Sequence, residues 1–129
     1  MSAILLPIKP NWAQKILSGE KTVELRRVMP SRNPRHLLIY ETAPTSAVVG
    51  EISILCVAQM PPSGLRRYME HAQVTPEEFD AYFVGSEFGV AFFVHKPVRF
   101  TEPIKLSSVP QGMVYADNVI ELSGRFQNE

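Results

Sequence analysis

The sequence is poor in the residues that build familiar cofactor sites. Its one cysteine, Cys56, allows no intrachain disulfide, and the apolar run around it, ISILCVA, points to a buried core thiol. His36, His71 and His95 are its only histidines and lie far apart, with no second histidine or cysteine at ligand spacing, so no metal site is expected. The glycines form no Walker-type loop, no G-x-S-x-G elbow and no dinucleotide fingerprint, so no other cofactor is expected either. Long apolar runs are missing too. GVAFFV is far short of the roughly 20 residues that span a bilayer, and AILLPI lacks the flanks of a signal peptide. A soluble, cytoplasmic protein is the expectation.

Net charge is also absent: 13 basic side chains balance 13 acidic ones, which excludes a generally basic nucleic-acid binder, while 45% hydrophobic residues exclude a disordered chain. A length of 129 residues suits a single domain, 1–129, around one core. Charge is nonetheless uneven along the chain. Residues 1–36 hold Lys9, Lys15, Lys21, Arg26, Arg27, Arg32 and Arg35 against Glu20 and Glu24, a net +5. Positive charge gathered near one element can hold an anionic ligand without binding every polyanion.

What is present reads as strands interrupted by short helices. SAILLPIK is β-capable, and Pro10 then opens a helix whose apolar face carries Trp12, Ala13, Ile16 and Leu17 before Gly19 stops it. KTVELRR alternates, with Val23 and Leu25 on the core face and Thr22, Glu24 and Arg26 on the other. HLLIYET and AVVGEISILCVAQM follow as strands, with Gly50 marking a bulge or close approach, and these three successive strands predict antiparallel pairing. SGLRRYMEHA and TPEEFDAYF are helical, the second with a capping box from Thr75 to Glu78 and Pro76 at its first position. FGVAFFVHKPVRF resumes the β pattern, PIKL adds a short piece, and MVYADNVIEL closes the sheet or lies against it. The sum is a mixed α+β domain on a small, mostly antiparallel sheet or barrel.

The nine residues GEKTVELRR carry the chemistry. Gly19 lets the backbone turn so that Lys21 can point into a cleft, as a point charge for phosphate or for a developing oxyanion. Glu24 on the same rim can keep Lys21 charged, accept hydrogen bonds from a base edge, or move a proton. Arg26 and Arg27 face opposite ways, so at most one joins this group. A salt-bridged exposed strand has the same spacing. Lys9 precedes the helix and can face the same cleft. Tyr40 and Pro44, in IYETAP, offer a stacking surface for a base. Tyr82 and Phe83 are read as core packing, and Ser107, Ser108 and Gln111 as polar residues near a pocket.

In order, IKPNWAQKILSGEKTVELRR, LLIYETAPTSAVVGEI, TPEEFDAYFVGSEFGVAFFV and VRFTEPIKL resemble the ASCH domain family, a PUA-like group, from about residue 4 to residue 115. The most specific part is G-x-K-x-x-E-x-R, met by Gly19, Lys21, Glu24 and Arg26. The resemblance implies a small, mostly antiparallel β-barrel with short flanking helices, a cleft at the helix-to-strand motif, and binding of RNA, other single-stranded nucleic acid, or a nucleotide or nucleoside. Lys9, Lys21, Glu24, Arg26 and Tyr40 are the binding candidates. Some members of the family are enzymes, namely an N4-acetylcytidine amidohydrolase and ribonucleases, and for those Lys21 and Glu24 are the catalytic candidates. The amidohydrolase pattern has a threonine where this chain has Glu24, and a distant glutamate for which Glu87 is the candidate.

Overall fold

The apolar opening of the chain forms strand β1 (Ala3–Ile8), and Pro10 begins helix α1 (Pro10–Ser18) where a missing N–H leaves no bond unmade. The computed structural model describes residues 2–116. Gly19 ends α1 in the left-handed region, φ 89°, with its N–H donated to the Ile16 carbonyl. Ala13, Ile16 and Leu17 bury one face of α1 against Leu6, Leu37, Ile39 and Phe92.

The remaining strands are β2 (Val23–Arg26), β3 (His36–Glu41), β4 (Ala47–Met60), β5 (Gly89–Lys105) and β6 (Val114–Ala116). They lie in the order β2-β5-β4-β3-β1-β6, with β1 parallel to β3 and the other neighbours antiparallel. This is an open, mixed sheet, which corrects the expected closed, mostly antiparallel barrel. It also corrects the expected pairing of KTVELRR with HLLIYET: β2 pairs with β5, Val23 opposite Phe93. After β1 the chain leaves the sheet through α1, visits the far edge as β2, and returns beside β1. A crossover of that kind is what parallel neighbours require.

The two ends of the sheet approach each other without joining. Beyond Leu5, the last β1 residue paired with β6, the Pro7 carbonyl accepts a hydrogen bond from Arg26 Nη2 of β2 at 2.7 Å. Charged side chains of β2 occupy the seam where a barrel would place a backbone ladder.

A bulge explains a further departure. The register of β4 on β5 shifts between Ile54 and Cys56, so Leu55 has no partner and the alternation resets. Cys56 is therefore exposed, not a core thiol. PIKL is the end of β5, with Ile104 opposite Val48. At Gly50, the expected close approach is present: a Cβ would run into the Val98 carbonyl and lie 2.7 Å from Leu17 Cδ2.

Between β4 and β5 come α2 (Pro62–Leu65), a 3-10 turn at Arg66–Tyr68, α3 (Met69–Ala72) and α4 (Pro76–Phe83). The capping box at Thr75 is formed in both directions with Glu78. This helical cap packs Leu65, Ala72, Phe79 and Phe83 on Val23 and Leu25, the apolar half of GEKTVELRR. MVYADNVIEL contributes β6 at the sheet edge, and its residues from 117 onward lie outside the described residues. No helix among the described residues is long and apolar enough to cross a membrane.

Candidate functional site: a charged cleft at the open seam

The seam opens into a cleft of about 470 Å³ walled by the end of β1, α1, β2 and α4. Its lining includes Lys9, Trp12, Lys21, Glu24, Arg26, Glu78 and Tyr82. The turn after Gly19 delivers Lys21 to this cleft, and two backbone bonds hold the turn: Lys21 N–H to the Lys15 carbonyl and Thr22 N–H to the His71 carbonyl. Lys21 is 2% exposed. Its ammonium donates to the Ala72 carbonyl at 2.5 Å and lies 3.3 Å from Glu24 Oε1. Arg26 Nε donates to the other oxygen, Oε2, at 2.8 Å. Glu24 is thus gripped on both oxygens, and an ordered row Lys21–Glu24–Arg26 runs along one wall.

Aromatic side chains complete the cleft. Trp12 donates its indole N–H to the Gln73 carbonyl at 2.9 Å, which fixes the ring. Lys9 and Lys21 stand 5.9 Å and 5.8 Å from the Trp12 ring centroid. Arg27 lies outside the cleft lining and rests 4.6 Å from the centroid of Tyr82, a cleft residue. The lining residues carry three cations against the carboxylates of Glu24 and Glu78, so the cleft is basic by one charge.

Burial lowers the proton affinity of Lys21 below the ordinary lysine value, because the charged form loses hydration; the neighbouring Glu24 opposes this only in part. An amine in this condition holds its proton less tightly than a surface lysine. It can serve as an anchor for an anion or take part in proton transfer.

Lys9, Lys21, Glu24 and Arg26 therefore converge on one cleft. Tyr40 does not. It is 2% exposed and packs with Leu5, Leu38 and Val48 in a separate core cluster, because its position in β3 faces away from the side of the sheet that α1 covers. Pro44, though exposed, is outside the lining, as are Ser107, Ser108, Gln111 and the exposed Glu87. Trp12, Tyr82 and Phe83 line the cleft although the sequence pattern reads them as packing alone, and Phe83 is buried as well. The signal was available for Trp12, one turn inside the helix that leads to Gly19, but α4 reaches the cleft only by tertiary folding. Among the described residues, no group of three or more His, Cys, Asp or Glu converges to hold a metal.

The fold and this cleft define a small α+β domain with a charged, aromatic-walled pocket at an unclosed seam. The ASCH domain model matches residues 6–100. The ASCH domain-containing ribonuclease of Zymomonas mobilis is 32% identical over 112 residues, which cover 83% of this chain and 73% of that protein. The chain belongs to the ASCH domain family. The crystal structure of ASCH from Zymomonas mobilis superposes with a TM-score of 0.83 at 26% identity, covering 93% of this chain and 90% of that one. The large ribosomal subunit protein uL22 of Ureaplasma parvum is 29% identical over 119 residues, but the match spans only 38% of its length.

Proposed function

We propose that the cleft receives one unpaired nucleotide of an RNA strand, with Lys9 meeting phosphate, the Lys21–Glu24–Arg26 row meeting the base edge and Trp12 or Tyr82 stacking on the base. The observation that carries this reading is the convergence of the Lys21–Glu24–Arg26 row with two aromatic side chains on one cleft. Stacking on an aromatic face stabilises a single-stranded base by about 1–3 kcal/mol, and a carboxylate held on both oxygens is oriented as hydrogen-bond recognition requires. The relatives point to RNA as the polymer: one is a ribonuclease and the other a protein of the ribosome.

The test is binding of a labelled single-stranded RNA at low and moderate salt. Affinity falls with salt, because phosphate contacts release counterions, and Lys21→Met and Arg26→Ala each weaken it. Absence of binding at low salt, or binding indifferent to both substitutions, rejects the reading.

One observation favours a second reading, strand cleavage: the lowered proton affinity of Lys21 beside a carboxylate, in a relative of a ribonuclease. Here the 2′-hydroxyl attacks the adjacent phosphorus and the 5′-oxygen leaves, Glu24 accepting or relaying the proton while Lys21 stabilises the developing charge. Wild-type protein then yields fragments ending in a cyclic phosphate, and Lys21→Met abolishes them. Intact RNA after long incubation eliminates this reading and leaves binding untouched. Incubation with N4-acetylcytidine, read as release of cytidine and acetate, tests the amidohydrolase alternative.

A further inference from the structure

The row along the cleft wall has a hydrogen-bond order. An ammonium has three N–H donors, and Lys21 directs one to Ala72 and one to Glu24. A guanidinium has five, and Arg26 directs Nε to Glu24 and one Nη2 hydrogen to Pro7. Both cations thus retain donors. Each carboxylate oxygen of Glu24 accepts one of these bonds and keeps a lone-pair direction unused by them. In order along the cleft wall, the row therefore reads donor, acceptor, acceptor, donor.

We infer that the base read by this wall is guanine. Resting on the RNA reading above, the inference adds which base is chosen. Guanine carries, in sequence around its ring, the acceptor O6, the donors N1–H and N2–H, and the acceptor N3. This is the complement of the wall. N1–H and N2–H form a fork on the two oxygens of Glu24, and the flanking cations donate to O6 and N3. Cytosine has one donor followed by two acceptors, so its acceptors would face the carboxylate. Uracil has a single donor between two acceptors, and adenine lacks a second adjacent donor. None of the three offers donors to both remaining lone-pair directions of Glu24, and a desolvated acceptor direction left unmet costs more than a lost surface contact.

The experiment uses the full chain at low salt and uridine-tract RNAs that differ at one central position: guanosine, inosine, adenosine, cytidine or uridine. Inosine is the decisive probe, because it keeps N1–H, O6 and the purine stack and lacks only the N2 amine. The guanosine RNA binds tightest, and inosine weakens binding roughly fivefold to a hundredfold, the range for losing one bidentate base contact. The other three bind no better than inosine. Glu24→Gln, which replaces one acceptor oxygen by a donor, brings the guanosine-to-inosine ratio toward one; a merely structural role for Glu24 would lower every affinity and leave that ratio alone. Equal binding of guanosine and inosine, or preference for another base, overturns the inference and leaves the RNA reading standing. Failure of every RNA to bind removes the RNA reading and this inference with it.

Discussion

Glu24 and Glu41 are both buried carboxylates, 6% and 5% exposed, and they occupy contrasting surroundings. Glu41, at the end of β3, accepts from neutral groups: Gln14 Nε2 at 2.6 Å on one oxygen and the Thr45 hydroxyl on the other. Gln14 is held in turn by Arg99, whose Nη1 donates to its Oε1 at 2.9 Å. This arrangement ties α1 to the turn after β3 and lies outside the cleft lining. Glu24 accepts from two charged groups and faces the cleft. Neutral partners that close over a carboxylate make a structural tie; charged partners with spare donors, left beside an opening, make a surface that can still bind. Burying an ion pair is seldom the most stabilising choice, since desolvation offsets much of the attraction. Its retention at the seam is in keeping with a role in recognition.

The contrast can be broken most directly by removing each acid. Glu24→Ala leaves Lys21 and Arg26 facing each other, and the expected loss is about 3–5 kcal/mol in urea unfolding, the range for one partner of a buried pair. Glu41→Ala orphans only neutral donors and should cost about 1–3 kcal/mol, with RNA affinity unchanged. If the two substitutions cost the same and affect RNA alike, the division between tie and binding surface fails.

Smaller effects sharpen it. Lys21→Met leaves Glu24 its bond from Arg26 but orphans the Ala72 carbonyl, so it should cost about 1–3 kcal/mol, while RNA affinity drops about tenfold, close to the effect of losing one charge-assisted contact. Anisotropy and unfolding curves on one preparation separate the two quantities. The least effect is on pH dependence. Lys21 binds its proton less tightly in the folded state than the ordinary value of 10.5 allows, because burial disfavours the cation. Between its lowered value and 10.5, the unfolded chain therefore holds more of that proton. Stability attributable to Lys21 rises with pH across this window and falls as pH drops through the folded value. Unfolding free energies from neutral to alkaline pH should show this rise relative to Lys21→Met, and matching profiles for the two proteins would contradict it.

Much of the local structure was legible in the chain. Helix α1 and its glycine stop, the capping box at Thr75, the burial of Val23 and Leu25 and the tight approach at Gly50 all follow from short-range patterns and steric rules. Lys21, Glu24 and Arg26 were legible as a group because the spacing in GEKTVELRR places them together at one junction. Tyr40 was misread because alternation does not say which face of β3 is covered, and here both faces of its sheet are packed. Cys56 was misread because a one-residue bulge reverses the faces of every residue after it.

The sequence by itself determined where helices start and stop, which half of GEKTVELRR is apolar, and the family to which the chain belongs, since these depend on neighbours within a few residues or on ordered motifs. Only the tertiary structure decided that the sheet stays open at β2, that α4 brings Tyr82 to the same cleft as Trp12, and that Glu24 is clasped between Lys21 and Arg26. Those outcomes depend on which strands become neighbours after the crossover through α1, and strand partnership is set by long-range packing that no local pattern encodes.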